Sequence, residues 1–112
     1  MNWTSAELAD RLGGNRQLAD ELIAIFLAEY PNLLQTIHAS VARNDGQAIS
    51  RSAHAMKGTI SNFIDAGPTA TAQALERAAV ERRLADVPSL VEQLERELQE
   101  LAQAMRRQGG GA

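Results

Sequence analysis

The chain has 112 residues, a length typical of one domain. Its net charge of −3, with basic and acidic residues interspersed, argues against nucleic-acid binding, and the absence of cysteine excludes disulfides and cysteine-based zinc sites. Hydrophobic residues make up 45% of the chain and aromatic residues only 4%, so we expect an aliphatic, alanine-rich core of closely packed helices. With no bilayer-spanning apolar run and no signal peptide, we expect a cytoplasmic protein without membrane insertion.

The apolar pattern predicts one short helix and then a long one. Residues 5–12 suit the short helix, which a Gly-Gly pair ends. The long helix runs from an N-cap at Asn15 to about Arg43, and its apolar rhythm continues across Pro31, which should kink it rather than divide it. The positions assigned to its buried arc are Leu18, Leu22, Ile25, Phe26, Leu33, Ile37 and Val41.

Three further apolar residues, Ile23, Leu27 and Leu34, widen that arc beyond what one helix contact needs. Two interpretations remain open for them. The short first helix covers them, or some of them form an exposed docking patch for a partner.

Turn residues separate the remaining helices. An Asn-Asp-Gly turn precedes the third helix, which Asn44 or Asp45 can cap and which fades near Asp65. Pro68 suits the first turn of an alanine-rich fourth helix that extends to Arg83. These short connections favour antiparallel packing of neighbouring helices.

The fifth helix begins after Asp86 and carries a sustained apolar stripe. The stripe consists of Leu90, Val91, Leu94, Leu98, Leu101 and Met105. The predicted fold class is therefore all-α, an antiparallel up-down four-helix bundle with a short extra N-terminal helix. We expect a single domain over residues 1–108 and a flexible glycine-rich tail over residues 109–112.

The third helix has two unlike faces at a helical pitch of about 100° per residue. His54 lies in the middle of its polar face, opposite the apolar stripe, so burial does not explain this histidine. A neutral imidazole is a usable nucleophile near pH 7, and Lys57 at i+3 places an ammonium beside any anion that joins the ring. The stripe predicted to be buried consists of Ile49, Ala53, Met56, Ile60 and Phe63.

The same polar face supplies candidate partner contacts. Gly58 at i+4 from His54 costs about 1 kcal/mol of helix propensity relative to alanine, which suggests that something large comes close. The other candidates could hydrogen-bond the oxygens of such an anion or a partner, although polar residues on a polar face need no such explanation. The candidate partner-binding residues are Gln47, Ser50, Arg51, Gly58, Ser61 and Asn62.

The segment AHAMKG followed by SNF resembles the signature of histidine-containing phosphotransfer (HPt) domains. The upstream run from the first helix onward and the later ALE at residues 74–76 are also similar to that family. The resemblance covers essentially the whole chain except its two ends. Ile64 departs from it, because the family often has glycine there, and this concerns the shape of the helix end.

The resemblance implies a phosphorelay carrier. His54 would accept a phosphoryl group on Nε2 from the aspartyl phosphate of one receiver domain and pass it to the aspartate of another, with Lys57 stabilising the charge. The partners would be receivers of a hybrid sensor histidine kinase and of a downstream response regulator. They would supply Mg²⁺, so this domain needs no cofactor or metal. The chain has no ATP-binding motif, which predicts a phosphotransfer intermediate without kinase activity of its own.

Two alternatives remain open. The chain could be a receiver-docking module that carries no phosphate, although such a module needs neither His54 nor Lys57. It could also be a structural bundle whose C-terminal stripe pairs between chains, although a monomer is expected because four helices close their own core. His38, whose neighbours at i+3 and i+4 supply neither charge nor access, is interpreted as a surface or boundary histidine. No metal site is predicted.

Overall fold

Five α-helices and one 3₁₀ turn make up the regular structure of residues 3–108, the part of the chain that this computed structural model describes. α2 and α4 each contact both α3 and α5, which closes a four-helix ring, and α1 packs on α2. The predicted all-α bundle is confirmed, and the tail predicted at 109–112 lies outside the described residues. The elements are α1 (Ser5–Arg11), α2 (Arg16–Ala42), α3 (Gly46–Ile60), α4 (Pro68–Val80), the 3₁₀ turn (Leu84–Asp86) and α5 (Val87–Arg107).

The helix starts follow the local signals in the sequence. Asn15 and Asp45 each accept a hydrogen bond from the backbone amide three residues on, at 3.0 and 3.1 Å, which confirms both N-caps. Asp86 stands at the N-cap of α5 but makes no capping bond, because its carboxylate accepts from Arg83 at 2.8 Å instead. α2 continues as one helix through Pro31. None of the described helices is both long and apolar enough to cross a membrane.

α3 ends earlier than predicted, at Ile60 with Ser61 as its C-cap, and not near residue 65. The hydroxyl of Ser61 donates to the carbonyl of Gly58 at 3.1 Å, the acceptor that a continuing helix would offer to the amide of Asn62. The indole N–H of Trp3 donates to the carbonyl of Phe63 at 2.8 Å in the turn that follows. All five residues of the predicted α3 stripe are nevertheless buried, including Phe63 beyond the helix end.

The buried arc of α2 differs from the prediction. Ile23 and Leu34 are buried and Leu27 packs against the core, so an exposed docking patch at these three positions is wrong. Leu18 and Ile25, which were predicted to be buried, are exposed by 37% and 52%. The reason is the packing of the other helices around α2. Because α1, α3 and α5 all contact α2, its buried arc is wider than a single helix contact requires, and the centre of the arc is rotated away from Ile25.

The apolar stripe of α5 lies inside the bundle. A partly buried polar link joins α5 to α4: Thr71 donates to Glu97 and accepts from Gln93 at 3.3 Å. Because the stripe is buried, it is not available to a second chain in this fold. Its buried members are Val91, Leu94, Leu98, Leu101 and Met105.

We expect Ile23→Ala and Ile25→Ala to differ sharply in stability, although the two residues are neighbours on α2. Ile23→Ala should lower the free energy of unfolding by about 3 kcal/mol, because it leaves a cavity at a fully buried site. Ile25→Ala should lower it by less than about 1 kcal/mol, because the side chain is half exposed. Urea denaturation measures both, and equal losses would contradict the burial described for α2.

Candidate functional site

His54 lies in the middle of α3 with its side chain 67% exposed. The opposite side of the same helix is anchored by Ala53 and Met56, neither of which has any exposed surface. Burial of that stripe fixes the rotation of α3 and turns His54 toward solvent. The structure therefore places an accessible imidazole where the sequence pattern predicted one.

One carboxylate, that of Glu76 on α4, contacts both predicted reactive residues. Its Oε2 lies 2.9 Å from Nδ1 of His54, and its Oε1 lies 3.2 Å from Nζ of Lys57. An ionised carboxylate can only accept hydrogen bonds, so Nδ1 of the neutral ring must carry the proton. Nε2 is then the nitrogen with the lone pair, and it makes no hydrogen bond to any described residue.

The sequence of α4 explains how Glu76 reaches α3. Its neighbour Leu75 is completely buried, and Ala72 and Ala79 are buried on the same side of the helix, so α4 can approach α3 closely. Glu76 stands at the edge of this contact and is 24% exposed. The contact of Glu76 with His54 and Lys57 was not predicted, although Glu76 belongs to the ALE segment that resembles the family. The sequence did offer one signal for it, because Glu76 is the one acidic residue of an alanine-rich helix and stands next to a core leucine.

Two of the predicted partner-binding residues, Gln47 and Ser50, line a cleft of about 510 Å³ at the first turns of α3. We call it the α4-end cleft, because its other wall is formed by the end of α4 and the following loop. Ser50 stands one helical turn before His54, so this cleft adjoins the imidazole along α3. Its lining consists of Gly46, Gln47, Ser50, Ala79, Val80, Arg82 and Leu84.

Gly58 and Asn62 line a different cleft of about 300 Å³ between α2 and α3, which we call the α2–α3 cleft. A Cβ placed at Gly58 would meet no other part of the protein within 4 Å, so packing within the fold does not require glycine there. The exposed Ile25 borders the same cleft. Its full lining is Leu22, Ile25, Phe26, Glu29, Ala55, Gly58, Thr59, Asn62 and Phe63.

The other predicted partner-binding residues, Ser61 and Arg51, do not line either of these two clefts. Ser61 donates its hydroxyl to the carbonyl of Gly58 at 3.1 Å, so it serves the end of α3. Arg51 is exposed and makes no ion pair with any described residue. Asp65, which the sequence places too far from the imidazole to act as a base, pairs with Arg11 of α1 at 3.2 Å.

His38 serves as a comparison for His54. It is exposed on α2, and its Nε2 lies 3.3 Å from Oε1 of Glu95 on α5, a partner that its own helix neighbours did not suggest. Its interpretation as a surface histidine agrees with this placement. Within residues 3–108, no group of three or more metal-ligating side chains is close enough to hold a metal ion.

Comparison with known families gives one finding. The family model described as "Hpt domain" matches residues 21–104, from the second turn of α2 to near the end of α5. The match includes His54, Lys57 and Glu76. Comparisons with curated proteins and with solved structures gave no significant match.

The two histidines should occupy opposite neutral tautomers. In His54 the carboxylate faces Nδ1, and in His38 it faces Nε2, so the first should be protonated on Nδ1 and the second on Nε2. Nitrogen-15 NMR of the imidazole rings above pH 8 distinguishes the two forms. Glu76→Ala should shift His54 toward the Nε2–H form and leave His38 unchanged, whereas an unchanged His54 would show that Glu76 does not set the tautomer.

Proposed function

This chain belongs to the Hpt domain family, and we propose that it carries a phosphoryl group on His54 between two receiver domains. Hpt domains are histidine phosphotransfer modules of two-component signalling and act as carriers without kinase activity of their own. The observation that carries the proposal is the environment of His54. Its ring is exposed, Nδ1 is held by Glu76 at 2.9 Å, and Nε2 is left with its lone pair.

The proposed transfer is a displacement at phosphorus. The Nε2 lone pair of His54 attacks the phosphorus of a receiver aspartyl phosphate, the N–P bond forms, and the P–O bond to the aspartate breaks. The aspartate leaves as a carboxylate, and the ring keeps its Nδ1 proton. The attacking Nε2 carries no proton that has to be removed, so this step does not need a general base. Transfer to the next receiver is the same reaction in reverse.

Glu76 and Lys57 have complementary roles in this proposal. Phosphorylation of Nε2 makes the ring cationic while Nδ1–H remains, and the Glu76 carboxylate at 2.9 Å stabilises that charge. Lys57 offsets the negative charge of Glu76, which would otherwise repel the incoming phosphoryl group, and its ammonium can turn toward the phosphoryl oxygens. Both side chains are about one-quarter exposed, at 28% and 24%, so water screens them only in part.

Receiver docking is assigned to the surface that surrounds His54. The α2–α3 cleft offers apolar side chains beside the imidazole, and Leu18 and Ile25 extend this apolar surface along α2. Because Gly58 has no side chain, it leaves space for the partner to approach the ring. The receiver brings the acceptor aspartate and Mg²⁺, so the carrier needs no metal site of its own for this step.

Phosphotransfer from a panel of phosphorylated receiver domains tests the proposal. Wild-type protein should acquire an acid-labile, base-stable label, and His54→Gln should acquire none. Lys57→Ala should transfer about tenfold more slowly, a loss of about 1.4 kcal/mol of transition-state stabilisation, while keeping the wild-type fold. His38→Gln is the matched control and should transfer at the wild-type rate. Binding of receivers without any label would favour a docking module, and a wild-type rate for Lys57→Ala would remove its electrostatic role.

Docking through the α2–α3 cleft has a separate test. Ile25→Ser should raise the half-saturating receiver concentration about fivefold and leave the rate at saturation unchanged, because the residue contacts the partner and not the reacting atoms. Single-turnover transfer at varied receiver concentration separates the two quantities. A change in the saturated rate alone would place Ile25 outside the docking surface.

A further inference from the structure

Three helices of this bundle end in the same motif. α1, α2 and α4 each close with paired backbone bonds, from the amides of two successive residues after the helix to its last carbonyls, which is the Schellman arrangement. The motif requires one residue with positive φ, and the three residues are Gly13 at +69°, Asn44 at +54° and Arg82 at +59°. Glycine and asparagine are the residue types that tolerate this conformation. Arginine is not one of them.

The fold gains no compensating contact from Arg82. Its guanidinium makes no hydrogen bond or ion pair with any residue that the structure describes, and the side chain is exposed. The adjacent Arg83 behaves differently, because it donates to Glu81 and to Asp86, both at 2.8 Å. A strained backbone position whose side chain makes no polar contact within the described fold is a reason to look for a role outside the fold.

Arg82 lines the α4-end cleft together with Val80. Val80 is 66% exposed, more than any other large hydrophobic side chain among the described residues. It also borders a second cleft that contains Lys57 and Glu76. The α4-end cleft is therefore continuous with the surroundings of His54 on two sides, through Val80 on α4 and through Ser50 on α3.

The lining of the α4-end cleft has a charge opposite to that of the whole protein. The chain has a net charge of −3, yet Arg82 is the one charged residue in this lining, and the adjoining cleft is balanced, with Lys57 and Arg77 beside Glu76 and Glu81. The nearby acids have other partners: Glu76 contacts His54 and Lys57, and Glu81 and Asp86 both accept from Arg83. Such a surface favours a partner with exposed carboxylates. A receiver domain, whose phosphorylation site holds an aspartate and carboxylates that bind Mg²⁺, has this chemistry.

We propose that the α4-end cleft is a second receiver contact, in which Arg82 pairs with a receiver carboxylate while Val80 packs on an apolar side chain of the same segment. This inference rests on the proposed function of His54. It assigns the α4 side of the imidazole to charge pairing and the α2 side to apolar docking. The receiver is then held on both flanks of α3, which fixes the aspartate in line with Nε2.

Arg82→Gly separates this role from a structural one, because glycine suits the backbone at this position. The melting temperature should be unchanged or higher than that of the wild type, since relief of the positive-φ strain opposes the greater freedom of glycine in the unfolded chain. The half-saturating receiver concentration should rise about three- to tenfold, with an unchanged rate at saturation and a weaker dependence on salt. Val80→Ala should produce the same rise without the change in salt dependence.

Two controls keep the result interpretable. Asn44→Gly makes the same substitution at the matching position after α2 and should leave receiver transfer unchanged. Phosphoramidate, a small phosphoryl donor that needs no docking, should label wild type and Arg82→Gly equally and His54→Gln not at all. If Arg82→Gly has the same half-saturating receiver concentration as the wild type, this inference is wrong and the proposed function of His54 is unaffected. Absence of label on the wild type, from both receivers and phosphoramidate, would overturn the proposed function itself.

Discussion

The bridge made by Glu76 is the contact on which the proposed chemistry depends. It joins α3 to α4 and fixes Nδ1 of His54 at 2.9 Å and Nζ of Lys57 at 3.2 Å from the two oxygens of one carboxylate. A freely rotating imidazole would present either nitrogen to a partner. The bridge leaves the lone pair of the neutral ring on Nε2, and Lys57 compensates the negative charge of Glu76, which in the proposed transfer lowers the repulsion of the phosphoryl group.

The bundle supports that bridge by keeping α3 and α4 in a fixed relation. Leu75 and Ala79 face the core on either side of Glu76, and Thr71 ties α4 to α5 through Glu97 and Gln93. These core contacts lie on the other side of the helices from the imidazole, which stays exposed and, in the proposed function, accessible to a receiver. The surface around the imidazole differs on its two flanks. The α2 side is mainly apolar, and on the α4 side Arg82 is the one charged residue in the lining of the α4-end cleft.

Features decided by local sequence could be predicted, and features decided by tertiary packing could not. The caps at Asn15 and Asp45 and the exposure of His54 opposite the α3 stripe follow from residue type and helical period. The burial of α2 was predicted with the wrong centre, because the positions of α1, α3 and α5 around it decide which apolar residues are covered. The bond from Trp3 to the turn after α3 joins residues sixty positions apart in the chain, which no local pattern indicates. Glu76 reaches His54 only because two separate helices pack together.

The most direct test of this account is the position of the phosphoryl group on the protein. Phosphorus-31 and nitrogen-15 NMR of protein phosphorylated by a receiver domain would identify both the residue and the ring nitrogen that carry it. We expect one phosphoryl group, on Nε2 of His54, with the proton retained on Nδ1. Phosphorylation of Nδ1, or of any residue other than His54, would contradict the role given to Glu76 and the function built on it.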